Sequence, residues 1–155
     1  MIRLLFLGIL LTLTAVAEEI KGTVVRVSDG DTIVVLDAGK TQHKIRLAGI
    51  DAPESHQAYG DKAKDSLAGM VAGKEVRVEV AGKDRYGREI GRVFAGALDV
   101  NLEQVKTGFA WHYAQYAKDA KDLAEAQEKA RAGKLGLWKD KEPVAPWEFR
   151  KAKKT

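Results

Sequence analysis

Three carboxylates and two guanidinium groups carry the chemistry this sequence could perform. Asp29-Gly30-Asp31-Thr32 precedes Arg46-Leu47-Ala48-Gly49-Ile50-Asp51-Ala52-Pro53-Glu54 by a short stretch. Taken singly, each piece has an ordinary reading: Asp-Gly forms turns, and Asp-Ala-Pro-Glu can simply lead a strand into a loop. Together they offer more. The carboxylates of Asp31 and Asp51 and the carbonyl of Ala52, whose conformation Pro53 restricts, form a set of hard oxygen donors. Such donors suit Ca²⁺ or a similar ion, with water completing the shell. The spacing is not that of an EF-hand, because no glutamate follows at the twelfth loop position. Arg46 is one candidate arginine, and Lys83-Asp84-Arg85-Tyr86-Gly87-Arg88 supplies a second. Solvation at the surface is the usual fate of an arginine. Two guanidinium groups facing a cation and a carboxylate would nevertheless meet the needs of phosphodiester hydrolysis. The arginines would stabilise charge gathering on the equatorial oxygens, a metal would polarise the phosphate, and a glutamate would take a proton from water.

These residues need a scaffold, and the pattern predicts strands first. Residues 20–28 and 31–37 are β-branched runs separated by Asp29-Gly30, a strong hairpin signal. Residues 43–50 alternate, with Ile45 and Leu47 facing one way and Lys44, Arg46 and Ala48 the other. A fourth strand sets Val76, Val78 and Val80 against Glu75, Arg77 and Glu79. A fifth runs over 88–95, with Gly91 marking a bulge or a close backbone approach. Ala63, Leu67, Met70 and Val71 predict one helix, which Gly73 can stop. Asn101 with Gln104 resembles a capping arrangement for a second helix that carries Leu102 and Val105. A third covers about 119–132, with Leu123, Ala126 and Ala130 on one stripe. Five short strands with three helices predict an α+β fold, a five-stranded Greek-key barrel of the OB type, an architecture that commonly binds oligonucleotides.

The chain has 155 residues, enough for one domain with its own core. With no cysteine, Cys-based zinc sites, iron–sulfur clusters and thiol catalysis are excluded. Arg3 precedes an apolar run, Leu4 to Val16, and Ala15-Val16-Ala17 stands before Glu18-Glu19. This is the layout of a secretory signal peptide cleaved after Ala17, and the run is short for a membrane span, which needs about 20 apolar residues. The expected organisation is therefore a signal peptide over 1–17, one domain over 18–142 and a basic tail over 143–155. The tail is expected to be solvated and partly disordered, and the product to be secreted or periplasmic with no membrane span. Loss of Arg3 lowers the net charge of +4 by one, a mildly basic balance compatible with a polyanionic partner. His43, His56 and His112 are dispersed and show no metal-ligand spacing.

Val27-x-Asp29-Gly30-Asp31-Thr32, Arg46-Leu47-x-x-Ile50-Asp51-x-Pro53-Glu54 and Asp84-x-Tyr86-Gly87-Arg88 closely resemble the staphylococcal nuclease (thermonuclease) family. The Gly108-Phe109-Ala110-Trp111 and Gly136-Leu137-Trp138 segments are similar to it as well, so the resemblance covers about residues 20–140. It implies an OB barrel with three helices and Ca²⁺-dependent hydrolysis of DNA and RNA to products ending in 3′-phosphate. Aromatic stacking tolerates any base, so little sequence specificity is expected, and the unit is expected to be a monomer. It assigns Asp31, Asp51 and the Ala52 carbonyl to the metal. Glu54 matches the residue that positions or deprotonates the attacking water. Arg46 and Arg88 match the phosphate-binding catalytic pair, with Arg88 also placed to assist the departing 5′-oxygen. Arg85, Tyr86 and Tyr116 match nucleotide contacts, while Tyr113 reads equally as core. The family's naming member has threonine in place of Ala52, and the loop after Glu54 is shorter here with fewer lysines. A nucleic-acid-binding module without catalysis would have lost one or more of the five charged residues, and all five are present. A Ca²⁺-binding domain with no nucleic-acid role would leave both arginines and Tyr86 unexplained.

Overall fold

The computed structural model describes residues 18–154. The signal-peptide reading concerns residues 1–17 and lies outside the described residues. Strands β1 (Glu19–Asp29), β2 (Thr32–Asp37) and β3 (Gln42–Leu47) form an antiparallel meander whose first turn is Gly30-Asp31. After a two-residue strand β4 (Ile50–Asp51) and helix α1 (Gly60–Val71), β5 (Glu75–Lys83) pairs with β1, and β6 (Glu89–Ala95) pairs with β5. β6 then closes on β3 in parallel, with Ile45, Arg46 and Leu47 opposite Glu89, Ile90 and Gly91. The result is a closed five-stranded barrel in an α+β fold, the OB-type architecture expected. Alternation explains what fills it: Ile33, Val35, Ile45, Leu47, Val76, Val78 and Val93 are buried, and period-two patterning sends them to the same side of the sheet.

Outside the barrel lie β7 (Leu98–Asp99), α2 (Val100–Lys106), β8 (Trp111–His112), the single-turn α3 (Ala114–Ala117), α4 (Lys121–Ala132) and α5 (Pro146–Ala152). The three helices expected are α1, α2 and α4. Their apolar stripes are Ala63, Leu67 and Val71 on α1, and Leu123, Ala126 and Ala130 on α4, and all are buried. Gly91 is a close approach: a Cβ there would meet Val78 Cγ1 at 2.5 Å, and the register shift lies opposite it, between Val80 and Gly82.

Two expectations are corrected. The cap of α2 is Asp99, whose carboxylate accepts from the Leu102 N–H, and not Asn101 with Gln104. Those two amides are fully buried and tie separate segments together instead. Asn101 accepts from Val93 N–H and donates to Ala48 and Gly91 carbonyls, while Gln104 donates to the Gly30 and Ala63 carbonyls. The second correction is the tail. Pro146 occupies the first turn of α5, where its missing N–H costs nothing, and Ala145 and Pro146 are buried. Trp147 stacks flat on Tyr113, with centroids 5.2 Å apart, and meets Trp111 edge-on at 5.5 Å. Buried aromatic surface orders a segment that composition alone marks as a solvated end.

Candidate active site

Three chain segments converge at one mouth of the barrel, and two glycines set how closely they meet. Gly30 lies under Ala52 and Ala63: a Cβ at Gly30 would sit 2.7 Å from either methyl group. Gln104 holds the Gly30 carbonyl from below at 2.9 Å. The β1–β2 turn is thus pressed against the segment after β4, which brings Asp31 to Ala52. On the other side, a Cβ at Gly60 would lie 2.0 Å from the Glu54 carbonyl oxygen, so the start of α1 fixes the backbone of Glu54. The Glu54 N–H is held by Gln57 Oε1 at 3.1 Å.

Asp31 and Asp51, twenty residues apart in sequence, become a buried acidic pair with 6% and 1% of their surface exposed. Asp31 accepts the Ala52 N–H at 2.7 Å and the Thr32 hydroxyl at 3.1 Å. One Arg46 amino group bridges the pair, 3.2 Å from Asp31 Oδ2 and 3.1 Å from Asp51 Oδ1. The other donates to the Leu47 and Ile50 carbonyls, both at 2.8 Å. Arg46 therefore braces the mouth of the barrel as well as facing the carboxylates.

The electrostatics follow from burial. Asp29, whose carboxylate accepts the Asp31 N–H, has its pKa pushed up to about 6 by burial and then by the charge of Asp31. Burial also raises Asp51, and Asp31 adds to it. The hydrogen bond from Arg150 and the charges of Arg46 and Arg150 only partly oppose the rise. Among the described residues, Asp31, Asp51 and Glu54 pair with Arg46 and Arg150, three carboxylates against two guanidinium groups, and Asp29 lies next to them without an ion pair of its own. Hard oxygen donors with uncompensated charge are the environment a divalent cation fits. Among the described residues no three side chains of His, Cys, Asp or Glu cluster as a ready-made metal set, so the two aspartates would need the Ala52 carbonyl and water beside them.

The remaining expected residues are placed as follows. Glu54 stands beside the pair with 41% of its side chain exposed, open to water. Arg88 precedes β6, the strand paired with the one that carries Arg46. Its Nε donates to Asp84 at 2.6 Å, and its terminal amino groups have no hydrogen-bond partner among the described residues. Burial opposes ionisation of Asp84, but the bonds it accepts from Arg88 and from the Arg88 and Tyr86 N–H groups outweigh this and lower its pKa. Arg85 lies over the Tyr86 ring at 5.0 Å, and Tyr86 is 69% exposed. Tyr116 is 74% exposed and meets Tyr113 edge-on at 4.9 Å. Tyr86 and Tyr116 are thus solvent-exposed rings, Tyr86 with Arg85 and Arg88 over it, whereas Tyr113 is covered by Trp147. His56 is exposed, and His112 is buried against the Ala117 carbonyl at 2.7 Å.

Arg150 is the residue sequence reasoning missed. Its guanidinium lies 2.7 Å from Asp51 Oδ2 and 2.6 Å from Glu54 Oε1. The Asp51 hydrogen bond, against the cost of burial, raises its already high pKa further. In the sequence it is one cation in a basic run, and nothing in local spacing separates it from Lys151 or Lys153.

Comparison with known proteins agrees with this geometry. An "Uncharacterized endonuclease" of Haemophilus influenzae is 43% identical over 155 residues, covering 99% of this chain and 86% of the relative. Another protein of that description, from Escherichia coli O157:H7, is 48% identical over 136 residues, covering 87% of this chain and 88% of its own length. A "Micrococcal nuclease" of Shigella flexneri is 41% identical over 147 residues, covering 88% and 83%. The family model described as "Staphylococcal nuclease homologue" matches residues 44–140, which include Arg46, Asp51, Glu54 and Arg88. Together these support nuclease activity: the chain belongs to the staphylococcal nuclease family.

Proposed function

We propose that the protein is an exported, Ca²⁺-dependent nuclease that hydrolyses phosphodiester bonds in DNA and RNA and leaves 3′-phosphate ends. The observation that carries this reading is the Asp31–Asp51 pair, assembled from the β1–β2 turn and strand β4, bridged by Arg46 and adjoining Glu54. Asp31, Asp51 and the Ala52 carbonyl would hold the cation, which supplies Lewis-acid polarisation of the phosphate when bound.

The chain's own residues supply the rest. Glu54 is exposed enough to meet water, and its carboxylate accepts a proton from the attacking molecule. The free amino groups of Arg88 reach toward the phosphate and stabilise charge on its oxygens and on the departing 5′-oxygen. Arg46 keeps the two aspartates in register and adds positive charge on the same side. Arg85, Tyr86 and Tyr116 would offer a cation and two exposed rings to the nucleotides, a combination that stacks bases with little sequence preference. The same proposal takes the unit to be a monomer.

The test is cleavage of matched DNA and RNA substrates by the purified protein in Ca²⁺, Mg²⁺ or Mn²⁺, with end-group analysis of the products. Ca²⁺-dependent cleavage that stops on chelation supports the reading, and metal-independent cleavage or 5′-phosphate products refute it. Export rests on residues 1–17 and is checked by N-terminal sequencing of the protein outside the cytoplasm, where residue 18 is expected first.

A further inference from the structure

The C-terminal segment crosses the candidate active site. Val144 O accepts a hydrogen bond from Gln57 Nε2 at 2.6 Å, Trp147 lies parallel to the Tyr113 ring with an interplanar angle of 3°, and Arg150 spans Asp51 and Glu54. The basic residues that flank Arg150 point elsewhere: Lys151 pairs with Glu148 on its own helix, and Lys153 lies over Phe149. One cation of the run is thus singled out by position.

We propose that this segment is a releasable strap: Arg150 occupies the carboxylates a divalent cation needs, Trp147 covers the Tyr113 face, and cation binding displaces both. The inference rests on the reading of Asp51 as a cation ligand. A guanidinium donating to Asp51 Oδ1 and Oδ2 and a cation coordinated by the same carboxylate compete directly, because each requires the same lone pairs. Glu54 is held by the same guanidinium, so the group read as proton acceptor is also engaged until the strap moves.

Three features suit the strap to leaving. The Arg150 side chain is 39% exposed, against 15% for Arg46, so solvent reaches its pairing and screens it. The seam beneath the strap holds a cavity of about 160 Å³ between Pro53, Tyr59 and Trp111 on the body and Val144 and Phe149 on the strap. Incomplete packing there lowers the cost of separation. Trp111, which lines that seam and meets Trp147, has a buried Nε1–H with no acceptor among the described residues, an unsatisfied group of the docked state. Release also uncovers Tyr113 beside Tyr116, adding a second ring for a flat ligand to stack on.

The test measures Ca²⁺ binding by calorimetry, without substrate, for the unsubstituted protein and for Arg150→Met and Trp147→Ala. Arg150→Met removes the competitor and keeps much of its stem. Trp147→Ala unseats the strap without altering any charge, which separates strap docking from a general electrostatic effect. Both variants should bind Ca²⁺ about tenfold more tightly or better, a factor that corresponds to ~1.4 kcal/mol of lost competition. In the unsubstituted protein, Ca²⁺ should also change tryptophan emission, and that change should be smaller in Trp147→Ala. Unchanged or weaker Ca²⁺ affinity in both variants overturns the strap while leaving the cation site standing. Tightening in Arg150→Met alone also overturns it, since a general charge effect would then suffice. Absence of Ca²⁺ binding in all three proteins overturns the cation-site reading and the strap with it.

Discussion

Replacing Arg46 with methionine should destabilise the protein by about 3–5 kcal/mol, the range for removing one partner of a buried ion pair. The structure places this change in that range and not in the ~0–1 kcal/mol range of exposed pairs. The side chains of Arg46, Asp31 and Asp51 are only 15%, 9% and 2% exposed. Methionine preserves the stem but leaves two carboxylates facing each other without a bridge, and it strips the Leu47 and Ile50 carbonyls of their 2.8 Å donors. Urea unfolding followed by circular dichroism, with chelator present, measures the loss as a lower midpoint at unchanged slope. Arg77→Met is the internal control: its partners Glu19 and Glu79 are exposed, and the midpoint should hardly move. The sign of the pH effect adds a second check. Asp51 already has a folded-state pKa above its ordinary value, so the folded state holds the proton more tightly than the unfolded one. Stability from this group falls as pH rises through that window. Loss of Arg46 raises the folded pKa further, so the deficit of the variant should shrink in mildly acidic buffer. A loss below ~1 kcal/mol at neutral pH, or a deficit that grows on acidification, refutes the argument.

Other outcomes follow from the same geometry. Glu54→Gln should lower the cleavage rate by about 10²–10⁴, the usual contribution of a positioned acid or base, with an unchanged circular dichroism spectrum. A rate within a few-fold of the unsubstituted protein would remove Glu54 from proton transfer. Gln104→Leu should cost about 3 kcal/mol, because the Gly30 and Ala63 carbonyls lose their buried donor; denaturant unfolding measures this, and a neutral result would show that the turn holds Asp31 without it. His43 lies between Asp37 and Glu89, and the Asp37 hydrogen bond, then Glu89, against burial, raises its pKa. Its stabilising effect is fully present below its ordinary value of about 6.5 and is lost as pH rises through the higher folded value. Thermal melts of His43→Gln across neutral pH should lack that step, and an identical profile would count against it.

Local signals make much of this protein legible in its sequence. The Asp-Gly turn, the alternation of Ile45 and Leu47 around Arg46, the valine ladder at 76, 78 and 80, and the stripes of α1 and α4 all arise from neighbours in sequence. Each therefore appears as a spacing, and each matches an observed element. Asn101 and Gln104 mislead because a polar residue at a helix start reads as a cap. Their real partners, such as Gly30 and Ala48, are dozens of residues away. The tail misleads for the same reason: its few apolar residues adjoin a basic run and show no helical spacing, and the contacts of Trp147 with Tyr113 and Trp111 exist only after folding.

The candidate site divides along the same line. Its members Asp31, Arg46, Asp51, Glu54 and Arg88 stand in motifs that sequence alone reveals, because the turns and strand ends that present them are locally encoded. What only the tertiary structure decided is who faces whom. Closure of β6 on β3, the Gly30 and Gly60 contacts and the docking of α5 pair Asp31 with Asp51, turn Arg46 into their bridge and bring Arg150 onto Asp51 and Glu54. Spacing along a chain specifies direction and local shape; charge neutralisation in a buried site depends on distances set by barrel closure and packing.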